Sequence, residues 1–169
     1  MSLDMKWLSL IFALFPAACF SADASMAVKN KAGKEQWWLE LWKNGTHYNS
    51  PIIKVSLPPD PTDPSGVRIP ILYEVPIRSD SYKSTIITAL TRLEEMARNA
   101  KIQKLTSPIT KRVEAKKLSE SFVFRINENG SHLMTVNDNV VSSEMIAALK
   151  LLISSIDRYA AELEKMSKI

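Results

Sequence analysis

The chain has 169 residues, with 22 Lys and Arg against 18 Asp and Glu, a net charge of +4. That length suits one domain with an ordinary core. With Cys19 as its single cysteine the chain has no disulfide framework, and the mild charge is weak ground for a nucleic-acid partner.

Residues 1–24 differ from the rest. Lys6 precedes the apolar run Trp7-Leu8-Ser9-Leu10-Ile11-Phe12-Ala13-Leu14-Phe15, Pro16 breaks it, and Ala22-Asp23-Ala24 offers an A-x-A site. Charged start, short apolar core and small-residue site predict a secretory signal peptide over residues 1–24. The run reaches Phe20 at most, about 14 residues, where a membrane span needs ~20. Cleavage after Ala24 removes Cys19, and an exported domain without disulfides suits a bacterial periplasm. It also removes Lys6, Asp4 and Asp23, leaving 21 basic and 16 acidic residues, a net charge of +5. The alternative is a lipid-anchored envelope lipoprotein, cleaved before Cys19, with membrane association through the acylated thiol.

Residues 25–34 are small, polar and basic, and are expected to be a flexible lead-in. Residues 35–169 are then a single α+β domain. In Gln36 to Lys43, Trp37, Leu39 and Leu41 alternate with Trp38, Glu40 and Trp42, so the strand carries tryptophan on both faces. One face belongs to a core. The other is a candidate stacking platform for a partner. Asn44-Gly45 marks a turn, Thr46-His47-Tyr48 returns, and Ile52 to Leu57 reads as another strand. Pro58, Pro59, Pro61 and Pro64 stiffen the next loop, which carries Asp60 and Asp63. Val67 to Val75 reads as a strand, and Pro70 inside it predicts an edge or a bulge. Ser79 or Asp80 caps an amphipathic helix with Tyr82, Ile86, Ala89/Leu90, Leu93, Met96/Ala97 and Ala100 on one stripe.

Between Arg98 and Lys117 the local net charge is +6. Lys104, Lys111, Arg112, Lys116 and Lys117 are candidate contacts to an anionic surface, and Ser107-Pro108 is expected to open a short helix. In Ser121 to Ile126, Phe122, Phe124 and Ile126 share one strand face. Asn127 to Ser131 is a turn whose Asn-Gly tolerates positive φ, His132 to Val136 returns, and Asn137-Asp138-Asn139 turns again. Ser142 or Ser143 caps a helix running to Met166, some 24 residues and roughly 36 Å. The predicted order is β-β-β-α-(α)-β-β-α: an antiparallel sheet of two hairpins plus an edge strand, packed by two amphipathic helices.

Asn44-Gly45-Thr46-His47-Tyr48 and Asn129-Gly130-Ser131-His132-Leu133 are alike. Degenerate halves at 35–104 and 119–169, joined by a basic connector at 105–118, follow as one reading; good turn chemistry alone is the other. Both turns also match N-x-[ST], read here as turn composition. The histidines admit a small metal-dependent or serine hydrolase using His47 and His132. Against an enzyme stand the missing G-x-S-x-G elbow and the missing phosphate-binding glycine patterns. Strand, Asn-Gly turn, strand, Asn-Asp turn and helix from Phe122 to Leu152 resemble, in order, the periplasmic part of ExbD/TolR-type transport proteins. The likeness covers about 30 residues. That family's membrane helix with an ionisable residue has no counterpart at residues 7–15, so no site is carried over.

The expected function is that of an exported, periplasmic, non-enzymatic binding protein, such as an accessory subunit of an envelope assembly or a protein inhibitor, without a cofactor. Its partner would be another protein or an anionic envelope component. The contact residues would be Trp37, Trp38, Trp42, Asp60, Asp63 and the basic residues 104–117, with aromatic anchors seated in a partner pocket and cations steering the approach.

Overall fold

The computed structural model describes residues 21–44, 51–100, 107–115 and 118–168. The chain is α+β, but it builds two four-stranded antiparallel sheets rather than one sheet of hairpins. The first holds β1 (Ala24–Lys29), β2 (Glu35–Trp42), β3 (Ile52–Ser56) and β4 (Pro70–Pro76), in that order. Helix α1 (Asp80–Asn99) follows. The second holds β5 (Ile109–Val113), β6 (Phe122–Ile126), β7 (His132–Val136) and β8 (Asn139–Val140), and α2 (Ser143–Ser154) and α3 (Ile156–Met166) close the chain.

Each sheet gains an edge strand that sequence patterning misses. The expected flexible lead-in is instead β1 and a turn closed by Gly33 at φ +77°. Ala24, Met26 and Val28 pair with Leu41, Leu39 and Trp37 on the core-facing side of β2, so small residues are enough for a strand that only lines the rim. Asp23 accepts the Lys43 amide at 2.7 Å, and its own amide donates to the Leu41 carbonyl at 2.8 Å. The Ala22-Asp23-Ala24 motif thus lies against the end of β2. The expected basic helix is β5. Its exposed Lys111 and Arg112 suit an edge, where charge discourages pairing with a further chain.

The single long C-terminal helix is broken at Ser155, between α2 and α3. Ser154 bonds back to the Lys150 carbonyl at 2.8 Å, and the Ser155 amide reaches both Leu151 and Leu152 carbonyls. A serine hydroxyl that bonds back to a helix carbonyl, as Ser154 does, bends a helix. Ser142 caps α2 by accepting the Met145 amide at 3.2 Å.

Helix packing interlocks the two sheets. Helix α1, which follows the first sheet, packs on β5, β6 and β7 of the second and touches β4. Helix α3, which follows the second sheet, packs on β1 and β2 of the first, and α2 lies against α1 and α3. One core cluster results, with Trp37, Leu39, Ile53, Leu90, Leu93, Phe122, Ile146 and Leu163 among its members. Lys150–Glu94 at 2.7 Å ties α2 to α1, and Lys83–Asp157 at 2.6 Å ties α1 to α3.

Lys83, followed by the amide of Arg78, holds the Asp157 carboxyl below its ordinary value of 3.8. A depressed carboxyl stabilises the fold above its unfolded value, and that contribution fades as pH falls through the folded value. Asp157→Asn is therefore expected to lower the melting temperature slightly near neutrality and not in strong acid. Melting curves of both proteins across pH check this.

Candidate functional site

Strand β4 departs from regular pairing. Ile53 faces Val75 and Val55 faces Leu72, so β4 holds two residues, Tyr73 and Glu74, where β3 holds only Lys54. A second shift lies beside it, where Ser56 faces Pro70 and Val55 faces Leu72. A bulge inserts a residue and re-aims its neighbours. Here Tyr73 is 58% exposed while Glu74, inside the run Ile71-Leu72-Tyr73-Glu74-Val75, is only 9% exposed. Pro70 thus sits in a strand that is both an edge and bulged, as its missing amide requires.

The bulge forms one wall of a cleft of about 590 Å3 at the seam between the sheets. Ser119, Glu120 and Ser121, leading into β6, form another wall, and the turn residues Asn137 and Asp138 complete it. That turn is a two-residue hairpin with both residues at positive φ, 47° and 64°, conformations that Asn and Asp tolerate. Asn137 locks it in place. Its side-chain oxygen accepts the Ser121 amide at 2.8 Å, and its side-chain nitrogen donates to the Ile71 carbonyl at 2.9 Å. Asn139 donates to the Pro70 carbonyl at 3.1 Å, so asparagines bridge the two sheets where backbone pairing stops.

Glu120 is 8% exposed. The Tyr82 hydroxyl, from α1, lies within hydrogen-bonding distance of Glu120 Oε1 and, at 2.8 Å, of the Glu74 backbone carbonyl. One phenolic proton serves one acceptor at a time. Glu74 Oε2 and Glu120 Oε2 are buried and have no hydrogen-bond partner among the described residues. A buried carboxylate oxygen without a donor costs at least the ~1–3 kcal/mol of an unsatisfied polar group. Among the described residues these are the two buried side-chain oxygens without a partner, and both belong to residues of this cleft.

The expected contact residues do not come together. Trp37 is 2% exposed and belongs to the core, which corrects its placement on a partner surface. Trp38 and Trp42 are half-buried on the opposite face, and both indole N–H groups donate to Glu40, at 3.3 and 3.2 Å. The Arg68 guanidinium lies 3.8 Å from the Trp38 ring and the Lys54 ammonium 3.8 Å from the Trp42 ring. Arg68 also pairs with Glu35. These rings are already engaged by their own sheet.

Asp60 accepts the Thr62 hydroxyl and amide at 2.7 and 2.8 Å, and Asp63 accepts the Ser65 amide at 2.9 Å. Those bonds hold both carboxyls below the usual value and spend them on the shape of the proline loop. Lys111 pairs with Phe124, while Arg112 pairs with Val123 and faces the other side of the second sheet. The basic run is thereby split between two faces. His132 sits beside Phe124, ring centroids 5.7 Å apart, and not in the cleft. His47, Lys104, Lys116, Lys117 and Cys19 lie outside the described residues. Among the described residues no group of three His, Cys, Asp or Glu is placed to hold a metal ion, and no helix is long and apolar enough to cross a membrane.

Sequence reading missed Glu74 and Glu120. The available signal was a lone glutamate inside an apolar run that Pro70 and Pro76 bracket. Comparisons with protein-family models, with curated proteins and with solved structures find no match to this chain.

Proposed function

We propose that this chain is an exported binding protein, not an enzyme, that takes its ligand in the Glu74/Glu120 cleft. Export rests on the pattern of residues 1–24. Binding rests on one observation: Glu74 and Glu120 line an open cleft, and each has a buried carboxylate oxygen with no donor among the described residues. Proteins keep such destabilising groups where function needs them, and replacing them then stabilises the free protein.

Glu74→Gln removes the charge and keeps the shape. The ligand-free variant is expected to be more stable by about 1–3 kcal/mol, which is roughly 2–10 °C in melting temperature for a chain of this size. Thermal melting of both proteins reads it. A lower melting temperature in the variant makes Glu74 a structural group and removes the cleft as a ligand site.

A further inference from the structure

We infer that the cleft receives an organic cation, a primary ammonium or a guanidinium group, and not a metal ion. This rests on the cleft being the ligand site.

The acceptors are in surplus. Glu74 Oε2 and Glu120 Oε2 have no donor, and Glu120 Oε1 competes with the Glu74 carbonyl for the Tyr82 hydroxyl. The amides that lock the Asn137 turn are engaged with one another and with β4. The Asn137 side-chain nitrogen is held by Ile71, the Asn137 amide by Ser121, and the Ser121 amide by Asn137. In the walls of the cleft two carboxylate oxygens therefore lack a donor among the described residues, and a third acceptor shares one. An ammonium carries three N–H donors and no acceptor, and a guanidinium carries five. Either satisfies the surplus and neutralises the buried charge with directed bonds.

A hard metal ion fits less well. It asks for six or more oxygens at short range, or for near-ideal octahedral geometry. The described residues hold no cluster of three ligating side chains, and the cleft is wide at about 590 Å3. That volume lies in the range of small-molecule pockets. The exposed Tyr73 ring on its rim adds an aromatic surface, which attracts an organic cation through its face. Asp138, also lining the cleft, gives a further negative charge toward the solvent side.

The same chemistry comes from a free amine or from a lysine or arginine side chain of a partner protein. Calorimetric titration of the purified protein separates them. The probes are agmatine, a short blocked peptide with one lysine, the same peptide acetylated on that lysine, and calcium chloride. Agmatine or the lysine peptide is expected to bind at one site, the acetylated peptide and calcium not. The tighter of the two amine probes identifies the source. Glu74→Gln and Glu120→Gln are each expected to weaken binding tenfold or more, from the loss of a charge-assisted hydrogen bond. Tyr73→Ala is expected to weaken it about two- to fivefold. Calcium binding in place of amine binding, no binding of either amine, or equal amine affinity in both Gln variants overturns the inference. The melting result for Glu74→Gln is independent of these titrations. A stabilised variant with no amine binding leaves the cleft standing and removes the cation.

Discussion

Trp37→Ala is expected to destabilise the fold by about 3–5 kcal/mol, the cost of emptying a large aromatic site in a core. Trp37 is 2% exposed, pairs in register with Val28, and packs in the one core cluster that both sheets share. Its neighbour Trp38 is expected to behave differently. Trp38→Ala loses a guanidinium stack and one hydrogen bond to Glu40 at a half-buried position, and should cost about 1–2 kcal/mol. Urea unfolding followed by circular dichroism measures both, with an unchanged slope marking a true stability change. With a domain stability of about 5–15 kcal/mol, the first substitution consumes a large fraction and the second does not. Near-equal losses would mean that the two faces of β2 are not core and surface as described.

The contrast between these tryptophans was readable in part. Alternation along Gln36 to Lys43 separates Trp37, Leu39 and Leu41 from Trp38, Glu40 and Trp42, and the structure keeps that separation. The same rule located β3, β6 and β7, and the 3.6-residue stripe located the buried face of α1: Tyr82, Ile86, Ala89, Leu90 and Leu93. What alternation does not report is which face, if either, stays open. Lys54 and Arg68 close over the outer tryptophans from segments distant in sequence, while Glu40 bonds both from within β2.

The edge strands failed for a related reason. β1 and β5 each pair with a single strand, so they need few apolar residues, and their sequences read as lead-in and connector. The candidate site was hidden more deeply. A bulge is a mismatch between two strands, and nothing in Ile71 to Val75 alone shows that β3 has one residue fewer opposite Tyr73 and Glu74. Glu120 lies outside any strand or helix, and its hydrogen bond comes from Tyr82, 38 residues away. Its partner on the other wall, the Asn137-Asp138 turn, was legible from composition because positive φ at both positions calls for such residues.

The two halves of the chain are expected not to fold apart. The Asn-Gly turns at Asn44 and Asn129 both follow the second strand of a four-stranded sheet, so the halves look self-sufficient in order. Their packing says otherwise. A fragment ending after α1 has α1 without β5, β6 and β7, the strands it covers, and has β1 and β2 without α3. Ile86, Leu90 and Leu93 are fully buried on α1, as are Ile156 and Leu163 on α3. Each such side chain contributes about 1.5–3 kcal/mol when buried. Losing several of them removes an amount comparable with the whole stability of a typical domain. Fragments 21–100 and 107–168 should each lack cooperative melting alone and should recover it, with native helix content, as a 1:1 mixture. Circular dichroism and sedimentation of the separate and mixed fragments test this. A cooperative transition in either fragment alone would show that its sheet finds a helix from its own half, and the interlocked packing would then not be what holds this fold together.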